Sequence, residues 1–391
     1  MYAQPACPPF VKVLVVAVIV IELVVIGLLA SSRATAAGGG QEAEASTAAQ
    51  PAVSDTAASG SEQQDAAAAN DGAEGDAAAE SEPVTLTVAF AGDCTLGTDE
   101  NFDASRNFTS RWEAEDGNPA YFLKNVADLF GADDLTVVNM EGTLTESTER
   151  ADKQFAFKGP AEYAKILSSA SVETASVANN HSADYGQQSL DDTIEALDAE
   201  GIESFGYERI CYRDVKGVKV ALIGAAFPED SDDNRKQMTD NIAKAREEGA
   251  RLVLVYVHWG IEREYTPTQD QIAMGHAAID AGADLVVGGH PHVIQGYEVY
   301  QGRYIVYSLG NFCFGGNSNP EDKDCMIFQQ TFTVTGDEVA KNDDVDFIAC
   351  SVSSESDRNT YQPTLAEGDE KERIEKKIQD STDEIAEMVA A

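Results

Sequence analysis

The stretch DLVVGGHPHVIQG, Asp284 to Gly296, runs from a short apolar segment into two of the chain's five histidines, His290 and His292, set one residue apart. The apolar part reads as a buried strand, so the two histidines stand at its exposed end. A lone histidine in apolar surroundings reads as a hydrogen-bonded core residue. A His-x-His pair at a strand end reads differently. Residues i and i+2 of a strand face the same way, so both imidazoles can converge on one object. That object is a metal ion or a phosphate; otherwise the pair is only a turn shaped by Pro291.

Working outward, the same pattern repeats. Further strands are expected at TLTVAFAG (from Thr85), LTVVNM (from Leu135), ETASVAN (from Glu173), VKVALIG (from Val218) and RLVLVYVHW (from Arg251). Helices are expected at PAYFLKNVADLF, which starts at Pro119, and at QQSLDDTIEALDAEG and QDQIAMGHAAIDAG, both of which stop at glycine. Strands alternating with helices imply an α/β fold, mostly parallel in its core. After Tyr297 the runs EVYQGRYIVYSLG and MIFQQTFTV follow with no helix between them, which predicts an antiparallel portion. The folded domain is placed at residues 84–352. Residues 353–391 read as a charged tail with one peripheral helix.

The N-terminal part has another character. Residues 1–33 contain the apolar run Val13 to Ala30, broken only by Glu22, long enough to approach a membrane span. A single N-terminal span with the domain outside the cell is expected. Secretion after cleavage near Ala34-Thr35-Ala36 is the alternative. Residues 34–83 are Ala, Gly, Ser, Gln and acid with no lysine or arginine, a composition that cannot bury a core and reads as a disordered tether. A net charge of −41 excludes the basic footprint that nucleic acid requires. Six cysteines are too few for a disulfide-built fold. If the domain is exported, Cys313 and Cys325 are expected to close the loop GGNSNPEDKD, with two unpaired thiols as the alternative.

Polar residues collect where strands end: Asp93, Asn139 with Glu141, Asn180 with His181, His258, and His290 with His292. In α/β sheets that edge is where ligands bind. Taken singly, Asp93 reads as a turn aspartate, Glu141 as a helix-capping acid and Asn180 as an Asx-turn former. Five strand ends carrying Asp, Glu, Asn and His together suit manganese, iron or zinc.

The motifs Gly92-Asp93, Asn139-Met140-Glu141-Gly142, Ala178-Asn179-Asn180-His181 with Asp184-Tyr185-Gly186, His258-Trp259-Gly260 with Glu262, Gly289-His290-Pro291-His292-Val293, and Tyr307-Ser308-Leu309-Gly310-Asn311-Phe312 resemble the bacterial capsule-synthesis protein CapA family. The resemblance runs from about Thr85 to about Val334. It implies a metallophosphatase-like layered sheet sandwich with flanking helices, and an association with poly-γ-glutamate capsule production. Carried over by motif, it makes Asp93, Glu141, Asn180, His258, His290 and His292 candidate metal ligands and His181 the residue facing the leaving group. One or two divalent ions (manganese, iron or zinc) are implied. Cys94 and Thr95 follow Asp93 where metallophosphatases usually have Asp-x-His, and Glu141 stands where a bridging Asp is common; both departures favour one ion over two. In supporting roles, Asp184 and Gly186 are expected to form the turn after His181, and Glu262 to orient His258 or lie solvated. Trp259 is expected as a cleft wall, the Asn311-Phe312 pair as the cleft's closure, Asn139 as a supporting residue, and His276 as a packing or surface histidine. Two functions stay open: metal-assisted hydrolysis of a phosphoester, acyl or amide bond, or non-catalytic holding of an anionic polymer within the capsule and polyglutamate machinery.

Overall fold

A computed structural model describes residues 82–227, 232–342 and 344–390. The expected membrane segment, and all of the expected linker but its last two residues, lie outside them. No helix among the described residues is long and apolar enough to cross a membrane.

Two large sheets lie face to face. In spatial order the nine-stranded sheet runs Thr364–Leu365, Val345–Ser351, Asp324–Thr335, Val84–Thr95, Leu135–Met140, Thr174–Ser176 and Glu203–Phe205, with Asn311–Phe314 and Glu338–Val339 paired beside it. The last four strands of that path are mutually parallel and the first four antiparallel. The six-stranded sheet runs Ile294–Tyr300, Arg303–Leu309, Leu285–Gly289, Leu252–Trp259, Val218–Phe227 and Cys211–Val215, parallel at its centre and antiparallel at both edges.

Period-two alternation builds the layers. On Leu252–Trp259, Leu252, Leu254 and Tyr256 enter the core between the sheets, with Leu86, Val88, Phe90, Leu135 and Val137 from the larger sheet. Val253, Val255, Val257 and Trp259 face the other way, onto Met238, Ile242 and Ile272 of the helices Asp232–Glu247 and Gln269–Asp280. A third core covers the outer face of the larger sheet, where Val138, Met140 and Ala175 meet Leu197 of the helix Gln187–Ala199. The expected Pro119 helix is two short ones, Ala120–Leu123 and Ala127–Phe130.

The C-terminal segment departs from its reading as a peripheral tail. Thr364–Leu365 is a strand of the larger sheet. The helix Gly368–Ala390 buries Ile374, Ile378 and Ile385, and Ser381 Oγ accepts from Gly296 N at 2.8 Å. The charges concealed an apolar stripe at helical spacing, and each such isoleucine contributes about 1.5–3 kcal/mol. The domain therefore extends beyond residue 352.

Cys313 and Cys325 are also corrected: both are free, buried thiols. Cys325 lies opposite Cys350 in an antiparallel pair, and Cys313 Sγ points at the carbonyl of Tyr361, 3.6 Å away. The loop is closed by sheet pairing, which leaves each thiol packed as a small apolar side chain.

Candidate metal centre

Strand geometry decides which side chains meet. Asn139 continues the inward series Leu135, Val137, and His258 continues Leu252, Leu254, Tyr256; each is the polar end of an apolar row. Trp259, one residue on, points to the opposite face, where its Nε1 donates to Tyr307 O at 2.8 Å. It is a core residue and not a cleft wall. Asp93 gets there by another route. Strict alternation from Leu86, Val88 and Phe90 would turn it outward, but the register shifts between Phe90 and Asp93. That bulge inverts the pattern, leaving Cys94 in the outer core and Asp93 among the histidines.

His290 and His292 follow the strand Leu285–Gly289 with φ of 93° and 57°, values that non-glycine residues rarely adopt. Such strain collects at functional sites and persists because the surroundings enforce it. Here the Asp93 carboxylate accepts the His290 backbone N–H at 3.0 Å, and Gly289 leaves room for it, since a Cβ there would lie 2.5 Å from Asp93 Oδ1.

Glu141 lies at the centre. Its Oε1 is 3.6 Å from His258 Nε2, 3.7 Å from His292 Nε2 and 4.0 Å from His181 Nε2. One ligand atom each from Glu141, His290 and His292 lies within 4.8 Å of the others. His258 Nε2 is also 3.0 Å from His290 Nδ1 and 2.9 Å from Asn180 Oδ1. Asp93 Oδ1 accepts from Asn139 Nδ2 at 2.8 Å, and Asp93 Oδ2 is 3.4 Å from His292 Nδ1. All six sequence-selected ligand candidates therefore converge.

Burial pushes the Glu141 carboxyl up to about 7, with His292 opposing and Asp93 adding to the rise. Burial alone would raise Asp93 too, but its bond to His292 and the charges of His258 and His292 hold it well below the usual carboxylate range. Burial drives His258 far below its ordinary value and, with His292, takes His290 down to about 4. Burial also acts to lower His292, yet Glu141 and Asp93 lift it to about 10.

A divalent cation fits this arrangement. Both Glu141 oxygens are buried without a hydrogen-bond partner among the described residues, a costly state for a carboxylate. Around them stand imidazoles and a second carboxylate, the nitrogen and oxygen donor set of manganese, iron or zinc. Thr95, where an imidazole would complete Asp-x-His, is buried with its hydroxyl also unpartnered.

The surrounding residues orient the candidates. Asn311 Oδ1 lies 2.9 Å from His292 Nδ1; with the proton on Nδ1, the Nε2 lone pair faces Glu141. Asp184 is a buried partner of His181 rather than a simple turn residue: its Oδ2 lies 2.7 Å from His181 Nδ1 and accepts from Phe157 N at 2.6 Å. Asn179 ties Asn139 to the His181 backbone. Lys153 Nζ donates to Asp184 Oδ1 at 2.7 Å and to Asn180 O at 2.9 Å. Sequence reasoning missed Asn179 and Lys153. Asn179 sat inside a quoted motif, whereas Lys153 lies on an irregular segment with no periodic signal. Glu262 is exposed and bonds nothing in the centre. His276 is a surface partner of Glu298 and stacks on Tyr300.

A cleft of about 1050 Å³ opens beside the centre, lined by His181, His292 and Asn311 and by the rings of Phe155, Phe157 and Phe314.

A family model described as bacterial capsule synthesis protein PGA_cap matches residues 87–316, more than half of the chain. The chain is 31% identical over 261 residues to the capsule biosynthesis protein CapA of Bacillus anthracis, covering 60% of this chain and 61% of that protein. It is 30% identical over 250 residues to the PGA biosynthesis protein CapA of Bacillus subtilis, covering 59% and 63%. The alignments thus span about three fifths of these relatives' own length. Among solved structures, a phosphatase from Mycoplasma pneumoniae is similar with a TM-score of 0.43 and 14% identity, covering 68% of this chain and 94% of that one.

Proposed function

The chain belongs to the bacterial capsule synthesis protein family PGA_cap, and from that premise we propose that it serves capsule or poly-γ-glutamate biosynthesis through a metal-dependent, hydrolase-type site. The observation that carries the metal is the buried, unpartnered Glu141 carboxylate among the imidazoles of His181, His258 and His292. Asp93, Glu141, Asn180, His258, His290 and His292 would hold the ion. When bound, a divalent ion supplies Lewis acidity and makes a nucleophile available near neutral pH.

The chain's own residues supply the rest. Asp184 accepts the Nδ1 proton of His181 and so turns Nε2 towards Glu141 and the cleft. Protonated at Nε2, His181 donates to the departing oxygen as a general acid. Phe157 packs its ring 4.6 Å from the imidazole and limits its positions. The reading places the domain outside the cytoplasmic membrane, tethered through the Val13–Ala30 run, where it acts with other polyglutamate machinery on an anionic polymer or a phosphoester. Non-catalytic holding of the polymer is the second reading, favoured by Thr95 standing where an imidazole would complete the site.

Elemental analysis of the purified full chain, followed by a phosphoesterase and polyglutamate-hydrolysis screen, tests the proposal. Stoichiometric metal in the wild type and depleted metal in His258→Ala and His290→Ala are expected. Unchanged metal in both variants removes the site; metal without turnover leaves the holding role.

A further inference from the structure

The cleft beside the candidate centre is lined by four cations, and three of them are committed. Arg373 bonds Asp324 through both terminal nitrogens, Lys377 bridges Asp322 and Asp324, and Lys323 Nζ donates to Pro320 O at 3.1 Å. The fourth is Arg263, whose guanidinium has no hydrogen-bond or ion-pair partner among the described residues. Its position is nevertheless held. Arg263 adopts a φ of 65°, and its N–H donates at 2.8 Å to the carbonyl of Pro291, the residue between His290 and His292. A long side chain in the left-handed region is uncommon and marks an enforced backbone. The root of Arg263 is thereby tied to the loop that carries two candidate ligands.

Building on the metal-centre reading, we propose that Arg263 anchors one anionic group of the substrate, a carboxylate or a phosphate, at the rim of that centre. A guanidinium presents a planar fork matching either group with two parallel hydrogen bonds. The rest of the cleft limits the ligand to one such group on this side. Glu262, Glu321, Glu355 and Glu370 line it as well, and the chain carries a net charge of −41. A run of carboxylates laid along that wall would be repelled. The ligand suited to the cleft places one anion at the reacting end and keeps any further charges off this wall.

The test is calorimetric titration of the Mn²⁺-loaded full chain with inorganic phosphate and, separately, with the γ-linked glutamate dimer. Wild type, Arg263→Gln and Arg263→Lys are compared, with melting temperature and manganese content measured alongside. At least one probe is expected to bind the wild type and to lose about tenfold in affinity in Arg263→Gln, with an intermediate affinity in Arg263→Lys, which keeps the charge and loses the fork, and with melting and manganese unchanged. The probe that responds identifies the group. Equal affinities in wild type and Arg263→Gln, or no binding of either probe to the wild type, overturns the proposal. Arg263-dependent binding by a chain that holds no manganese supports the anion site while defeating the metal reading on which it was built.

Discussion

Replacing Glu141 by Gln is the sharpest probe of the centre, because its effect should change sign with metal. In the metal-free protein the carboxyl is moved by burial from an ordinary 4.5 to about 7. The unfolded chain gives up this proton near 4.5, and the folded chain keeps it until about 7. Between those values the unfolded state binds fewer protons, so stability falls as pH rises and levels off above 7, at a cost of about 3 kcal/mol. Gln has the same shape and never ionises. Metal-free Glu141→Gln should match the wild type near pH 5 and exceed it by up to about 3 kcal/mol at pH 8. With manganese at about a thousandfold over its dissociation constant, the wild type gains about 4 kcal/mol, and the variant, lacking the central carboxylate, gains far less. Urea unfolding at pH 5 and pH 8, with and without Mn²⁺, reads all four states from midpoints at a common slope. A metal-free variant less stable than the wild type at pH 8, or equal stabilisation of both by manganese, refutes the reasoning.

Three other outcomes are expected. With the substrate that the screen identifies, His181→Ala should lose about 10²–10⁴-fold in turnover while metal content and melting stay normal, and Asp184→Asn should lose turnover by misorienting the same imidazole; a proportionate loss of metal in His181→Ala would make it a ligand instead. Ile374→Ala in the C-terminal helix should cost about 2–5 kcal/mol in unfolding free energy, whereas a change within error would return that helix to the periphery. Cys94, Cys211, Cys313, Cys325 and Cys350 should all be alkylated in denaturant without reductant, as peptide mass mapping would report; a Cys313–Cys325 crosslink would reverse the structural assignment.

The sequence by itself determined what depends on local periodicity. Apolar runs with β-branched residues marked the inner strands, and glycine stops marked two long helices. Polar residues closing the apolar rows at Asn139 and His258, and the His-x-His pair after Leu285–Gly289, pointed to one edge of the fold without long-range information. Tertiary structure decided the rest. The bulge between Phe90 and Asp93 turns Asp93 inward against its own alternation, because pairing with two neighbouring strands overrides the pleat count. Trp259 faces away from the cleft for the converse reason: its strand keeps strict alternation once His258 is turned in. Lys153 reaches Asp184 and Asn180 across some thirty residues that include the helix Ala164–Ser168 and the strand Thr174–Ser176, a proximity that no spacing rule encodes. The C-terminal helix looked peripheral because its charges outnumber its isoleucines. Burial depends on which face meets an apolar partner, and that partner, the edge of the smaller sheet, is 85 residues away in sequence at the Gly296–Ser381 contact.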